Sequence, residues 1–67
     1  MAAELSTYER ALRTLPTPYS LALRLRDAGC DRTVVCEYVH VEEDLLDGFY
    51  RIAEAKLSAA VNRQKDI

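Results

Sequence analysis

Apolar residues recur along this 67-residue chain at the three- and four-residue spacing of an α-helix. The first stripe consists of Tyr8, Ala11, Leu12 and Leu15. Ser6 and Glu9 have the spacing of a capping box, in which the serine hydroxyl accepts from the third amide of the helix and the glutamate reaches back. Pro16 ends this helix because it has no amide donor and disfavours helical backbone at Leu15.

A second helix is predicted from Thr17 as N-cap and Pro18 as first helical residue, where the missing amide of proline costs nothing. Gly29 supplies the left-handed residue that ends it, and Asp31 caps the next helix. The broad apolar face of this second helix, wide enough to be packed from two sides, comprises Tyr19, Leu21, Ala22, Leu23, Leu25 and Ala28.

A short third helix is expected over about Arg32 to Val39, followed by a turn at His40 with Val41 pointing inward. A longer fourth helix runs from about Glu43 to Ala60, and the polar tail from about residue 62 is expected to fray. The inward stripe of the fourth helix is predicted to contain Leu45 or Leu46, Phe49, Ile52, Ala53, Leu57 and Ala60. Gly48 is a misfit in its interior. No segment predicts a strand, so residues 1–67 are expected to form one all-α domain of four helices.

The segment from Gly29 to Leu57 resembles the helix-turn-helix of LuxR-type output domains and of the fourth region of sigma factors. The matching positions are Gly29, Asp31, Val35, Cys36, Val39, Val41, Leu45, Leu46, Ala53, Lys56 and Leu57, without a gap. The resemblance implies that the third and fourth helices cross as a helix-turn-helix, with Val41 filling the space beneath the turn. It covers a little under half of the chain and its motif is degenerate.

The chain departs from the family where DNA is normally bound. The solvent face of the recognition helix there offers Ser, Thr, Lys, Arg, Asn or Gln, whereas this chain has Glu42, Glu43, Asp44, Asp47 and Gly48, and His40 replaces the glycine of the turn. Carboxylates are repelled by phosphates, so the DNA contacts of the family do not transfer. The sequence therefore favours a non-enzymatic interaction module linked to transcription, with an acidic recognition-helix face that binds a basic protein surface.

The residues expected to bind that partner are Glu42, Glu43, Asp44, Asp47, Tyr38, Tyr50 and Arg51; the two tyrosines are expected to be exposed beside the acids. The alternative is a DNA-binding regulator that uses another face, with contacts from Arg10, Arg13, Arg24, Arg26 and Arg32. The chain carries nine Lys and Arg against eleven Asp and Glu, a net charge of −2, which excludes a generally basic nucleic-acid binder.

The small size of the chain limits the apolar core, which favours self-association or docking on a partner. The contact is expected from Tyr8, Leu12 and Leu15, or from Leu57, Ala60 and Val61. No apolar run approaches the length of a bilayer span, and Met1 to Arg10 lacks the pattern of a signal peptide, so a cytoplasmic protein is expected.

Candidate chemical sites are weak. Cys30, Cys36 and His40 lack the fourth ligand and the Cys-x-x-Cys spacing of a zinc site, and His40 is better explained as a surface residue than as a pH switch. Glu43 and Asp47 lie four apart, but a solvated acidic face explains them better than a catalytic pair. No catalytic triad order or glycine-rich phosphate loop occurs, so we expect no enzyme, no cofactor, no metal and no small-molecule substrate.

Overall fold

The structure, a computed structural model, describes residues 6–65. Its first helix, α1, spans Thr7–Thr14, with Ser6 as N-cap and Leu15 in an extended conformation after its end. The Ser6 hydroxyl accepts from the Glu9 amide at 3.0 Å, as the sequence predicted. The other half of the capping box differs, because the Glu9 carboxylate is bound by the guanidinium groups of Arg24 and Arg13.

The second helix, α2, spans Thr17–Asp27 and begins one residue earlier than predicted. Pro16 is its N-cap, and the Pro16 carbonyl accepts from the amides of Tyr19 and Ser20. The extended ψ of 144° at Pro16 already turns its carbonyl into the helix, so Thr17 becomes the first helical residue. At the other end Gly29 has a φ of +87°, which confirms its predicted left-handed role.

The third helix, α3, spans Arg32–Val39, as predicted. Asp31 is its N-cap, although its side chain makes no capping hydrogen bond. His40 ends α3 in the left-handed region, at φ 59° and ψ 46°, and the Val41 amide then donates to the Cys36 carbonyl at 3.2 Å. The chain turns there and enters a short 3-10 segment at Glu43–Leu45.

The fourth helix, α4, spans Leu46–Lys65 and continues from the 3-10 segment without a break. Positions 62–65, expected to belong to a fraying polar tail, are helical in the structure, and positions 66 and 67 lie outside the described residues. The described part of the chain contains four α-helices and no strand, so the predicted all-α architecture is confirmed.

Two clusters of apolar side chains hold the helices together. One joins α2, α3 and the start of α4, and its buried members are Ala22, Val35, Val39 and Leu46. The second joins α1, α2 and the middle of α4 through Leu12, Leu23 and Ala53. Tyr50 packs against both clusters, and Val41 packs against the first, so the inward role predicted for Val41 is confirmed.

The structure shows which leucine α4 buries at its start, and it corrects the predicted position of Ile52. Leu46 is fully buried, whereas Leu45 is 60% exposed. Ile52 was placed on the inward stripe of α4 but is 50% exposed. The side chains that α4 buries are Leu46, Ala53 and Ala60, seven residues apart, and Ile52 lies outside the arc that they define.

Candidate interaction surface

The acidic surface, defined as Glu42, Glu43, Asp44 and Asp47, lies at the N-terminal end of α4 and on the 3-10 segment that precedes it. All four residues are exposed. They occupy the N-cap and body of the 3-10 segment and the first turn of α4. The positive end of the helix dipole favours carboxylates at this position, so their clustering is compatible with a stable helix start.

Arg32 at the start of α3 engages half of this acidic surface. Its Nη1 lies 2.7 Å from Oδ1 of Asp47, and its Nη2 donates to the Glu43 carbonyl at 3.1 Å. Its Nε lies 4.0 Å from the Glu43 carboxylate. The hydrogen bond to Asp47 is the largest cause that raises the pKa of Arg32. This arginine therefore links the starts of α3 and α4.

The other two carboxylates of the acidic surface, Glu42 and Asp44, are more available to a partner than those that contact Arg32. Neither Glu42 nor Asp44 forms an ion pair with another residue in the described part of the chain. Glu37, on α3, is likewise exposed. The acidic surface consequently presents unneutralised negative charge to solvent at Glu42 and Asp44.

The aromatic residues expected to flank the acids have different environments. Tyr38 is 60% exposed, as predicted. Tyr50, predicted to be exposed, is instead partly buried between the two apolar clusters. Burial raises the pKa of Tyr50, and the Arg26 guanidinium lies 5.2 Å from its ring centroid. Tyr50 therefore serves packing, while Arg51 beside it is exposed.

The arginines of the alternative DNA face do not form one unpaired patch. Arg24 binds Glu9 through both terminal nitrogens, at 2.9 and 2.7 Å, and Arg13 also binds Glu9 at 3.2 Å. Arg26 pairs with Glu54 on α4 and with Asp27. With Arg32 on Asp47, four of the five candidate cations contact carboxylates, and Arg10 is exposed on α1.

Sequence reasoning missed the acidic partners of these arginines. The pair of Glu9 and Arg13 has a local signal, because residues four apart share a helix face. Glu9 with Arg24, and Glu54 with Arg26, join different helices across 15 and 28 positions, and only the folded arrangement brings them together.

The cysteines and the histidine lie in and around α3: Cys30 precedes its N-cap, Cys36 lies within it, and His40 is its C-cap. Cys30 and Cys36 are free thiols with intermediate burial, and His40 is exposed. Among residues 6–65 no group of three or more His, Cys, Asp or Glu is arranged to hold a metal ion.

An open depression of about 340 Å³ between the α1–α2 junction and α4 is lined by Thr14, Leu15, Pro16, Lys56, Ala59 and Arg63.

The surfaces expected to mediate self-association are largely used inside the chain. Leu12 and Ala60 are buried, and Leu15 and Leu57 pack against the second apolar cluster. Leu12 and Ala60 are therefore inaccessible to a partner, whereas Leu15, Leu57 and Val61 are partly buried and Tyr8 is 40% exposed. Within the described helices none is both long enough and apolar enough to cross a membrane.

Comparison with protein-family models, with curated proteins and with solved structures finds no significant match to this chain.

Proposed function

We propose that this chain is a non-enzymatic interaction module of the cytoplasm, linked to transcription, whose acidic surface binds a basic protein surface. The observation that carries the proposal is that Glu42 and Asp44, just before α4, are exposed and form no ion pair within residues 6–65. A basic partner would gain attraction from these carboxylates without displacing an existing cation. Such charge complementarity acts mainly on the association rate and on the choice of partner.

The scaffold proposed for this module is a helix-turn-helix formed by α3 and α4. A left-handed residue, His40, ends α3, and Val41 packs beneath the turn that leads to α4. A turn between α3 and α4 is one feature that the proposed scaffold needs. The link to transcription rests on the resemblance to LuxR-type output domains and sigma factors alone.

Direct DNA binding is the competing proposal, and the ion pairs weigh against it. A phosphate approaching Arg24, Arg26 or Arg32 has to displace a carboxylate that already contacts the guanidinium. The affinity of proteins for DNA arises largely from neutralising phosphates with available cations. The acidic surface adds repulsion at the face that a helix-turn-helix would present.

The test uses two probes of opposite charge: an oligoarginine peptide and random-sequence duplex DNA. Each is titrated into the isotope-labelled chain at low salt, and amide chemical shifts are followed by NMR. We expect the peptide to shift amides of the acidic surface, with binding that weakens as salt rises, and we expect no response to DNA.

Two matched variants localise the effect. Glu42→Gln removes one charge from the acidic surface, and Glu37→Gln removes the same charge from exposed α3. Glu42→Gln should weaken peptide binding more than Glu37→Gln does. Binding of DNA that is steeply lost with salt, and that strengthens in Glu42→Gln, would overturn the proposal.

A further inference from the structure

An apolar stripe runs along the outer side of α4 and of the end of the 3-10 segment before it, and no other part of residues 6–65 covers it. We define the outer stripe as Leu45, Gly48, Ile52, Ala55 and Ala59; all five residues are exposed. Leu45 and Ile52 are 60% and 50% exposed, two of the four large hydrophobic side chains with high exposure in the described chain. Their spacing alternates between three and four residues, which is the pattern of a seam between two helices.

Most of this stripe lies off the face of α4 that packs against the rest of the chain; Ala59 also lines the depression beside the α1–α2 junction. Leu46 and Ala53 belong to the two apolar clusters, and Ala60, seven positions further along the same side of α4, is also buried. Each follows a member of the outer stripe by one position, which rotates it by about 100° around the helix axis. A helix with apolar residues on two faces accommodates two sets of neighbours, and residues 6–65 supply only one.

The charges along the exposed side of α4 are polarised. Glu42 and Asp44 lie in the 3-10 turn just before α4, and Lys56 and Arg63 lie toward its end. Between them are Arg51 and Glu54, of which Glu54 pairs with Arg26. A second α4 running parallel would place acids beside acids and cations beside cations. A second α4 running antiparallel would place the acidic start of each helix beside the basic end of the other, which is attractive at both ends.

We propose that a second copy of this chain packs antiparallel along the outer stripe. The two-fold axis falls near Ile52, because Leu45 and Ala59 lie seven positions on either side of it. Leu45 of each copy then meets the small Ala59 of the other, and Gly48 approaches Ala55. A large residue opposite a small one lets two helices approach closely without a gap.

The same register pairs charges at both ends of the seam. Glu42 and Arg63 lie ten positions before and eleven positions after Ile52, so Glu42 of one copy meets Arg63 of the other. The stripe from Leu45 to Ala59 extends over about 21 Å at 1.5 Å per residue. An interface of this length, with Leu45 and Ile52 as its large side chains in each copy, is small. We therefore expect a weak dimer whose population rises with chain concentration.

The first experiment measures the oligomeric state by sedimentation equilibrium at chain concentrations from micromolar to millimolar. The unmodified chain should show a monomer–dimer equilibrium. Ile52→Glu places two carboxylates against each other at the axis and should abolish the dimer. Tyr38→Glu alters an equally exposed large side chain on α3 and should leave the dimer unchanged. Ala55→Glu, a second seam variant, should act like Ile52→Glu, and circular dichroism verifies that each variant is helical.

The second experiment determines orientation by disulfide cross-linking under mild oxidation. Chains with Leu45→Cys and chains with Ala59→Cys should cross-link to each other when mixed. Leu45→Cys alone should not link to itself, because the antiparallel register separates the two positions by far more than a disulfide spans. The unmodified chain, which retains Cys30 and Cys36, reports background cross-linking.

A monomer at millimolar concentration would overturn the dimer, and efficient self-linking of Leu45→Cys would overturn its antiparallel orientation. The inference does not rest on the proposed function. Ile52→Glu leaves all four residues of the acidic surface in place, so it should abolish the dimer while oligoarginine still binds.

Discussion

Arg32 Nη1 lies 2.7 Å from Asp47 Oδ1, across 15 positions of sequence, and this contact joins the two surfaces that the sequence offered as alternatives. Arg32 belongs to the candidate DNA face, and Asp47 belongs to the acidic surface. The contact neutralises one residue of each surface. Arg32 is therefore less available to DNA, and Asp47 is less available to a basic partner. Changing Arg32 therefore has opposite consequences under the two proposals.

The first prediction is that Arg32→Ala strengthens binding of the oligoarginine peptide. The substitution removes the cation that contacts Asp47 and Glu43, so the acidic surface becomes more negative. Association rates measured by stopped flow at low salt should rise and should depend more steeply on salt. Arg10→Ala, the same charge change at an exposed position of α1, is the control and should have the smaller effect. A slower association in Arg32→Ala would contradict the prediction.

The second prediction concerns the two adjacent leucines at the start of α4. Leu46 is fully buried in the first apolar cluster, so Leu46→Ala should destabilise the chain by about 2–5 kcal/mol. Leu45 is largely exposed, so Leu45→Ala should change the free energy of unfolding by about 0.5 kcal/mol or less. Urea unfolding at low micromolar concentration, where a weak dimer is dissociated, measures both. Equal losses in the two variants would show that this assignment of faces is wrong.

The pair Leu45 and Leu46 also illustrates what the sequence can decide. Helical periodicity predicts that one face of α4 is buried, and the helix boundaries near Pro16 and Gly29 follow from backbone chemistry. Both leucines continue the apolar pattern, because α4 carries two apolar faces. Periodicity alone does not state which face meets the chain and which meets solvent.

The candidate site was predictable to a lesser extent. The charges of the acidic surface are local and can be read from the sequence. The partners of Arg24, Arg26 and Arg32 lie on other helices, so no local pattern specifies them. Tyr50 was misplaced for the same reason, because its burial depends on how α2 and α3 meet α4.

The third prediction compares the left-handed residues that end α2 and α3. At both ends an amide donates five residues back, from Cys30 to Leu25 and from Val41 to Cys36. Gly29 adopts this conformation freely, whereas a residue with a Cβ is strained at the φ of 59° found for His40. His40→Gly should therefore stabilise the chain by about 0.5–1 kcal/mol in thermal or urea unfolding.

Gly29→Ala is the reciprocal variant. A Cβ at this position would meet no atom within 4 Å, so its cost arises from the backbone conformation alone. We expect a loss of about 1 kcal/mol. If Gly29→Ala were neutral, or if His40→Gly destabilised the chain, backbone strain would not explain these two positions.

The fourth prediction is an acid-dependent loss of stability that arises at Glu9. Hydrogen bonds from Arg24, and next from Arg13, lower the pKa of Glu9 from 4.5 to about 2. Below pH 4.5 the unfolded chain takes up a proton at this residue before the folded chain does. The stabilisation is therefore fully present above pH 4.5 and is lost as the pH falls through this range to about 2.

Carbon NMR of the Glu9 carboxyl measures its titration midpoint directly, and the midpoint should rise in Arg24→Ala, which removes the largest cause of the shift. Glu9→Gln should flatten the dependence of unfolding free energy on pH in the same interval, because the substituted side chain does not titrate. Glu42→Gln is the matched control, since Glu42 forms no ion pair within residues 6–65. A Glu9 midpoint near 4.5 in the unmodified chain would show that the contact between α1 and α2 does not hold its charge in solution.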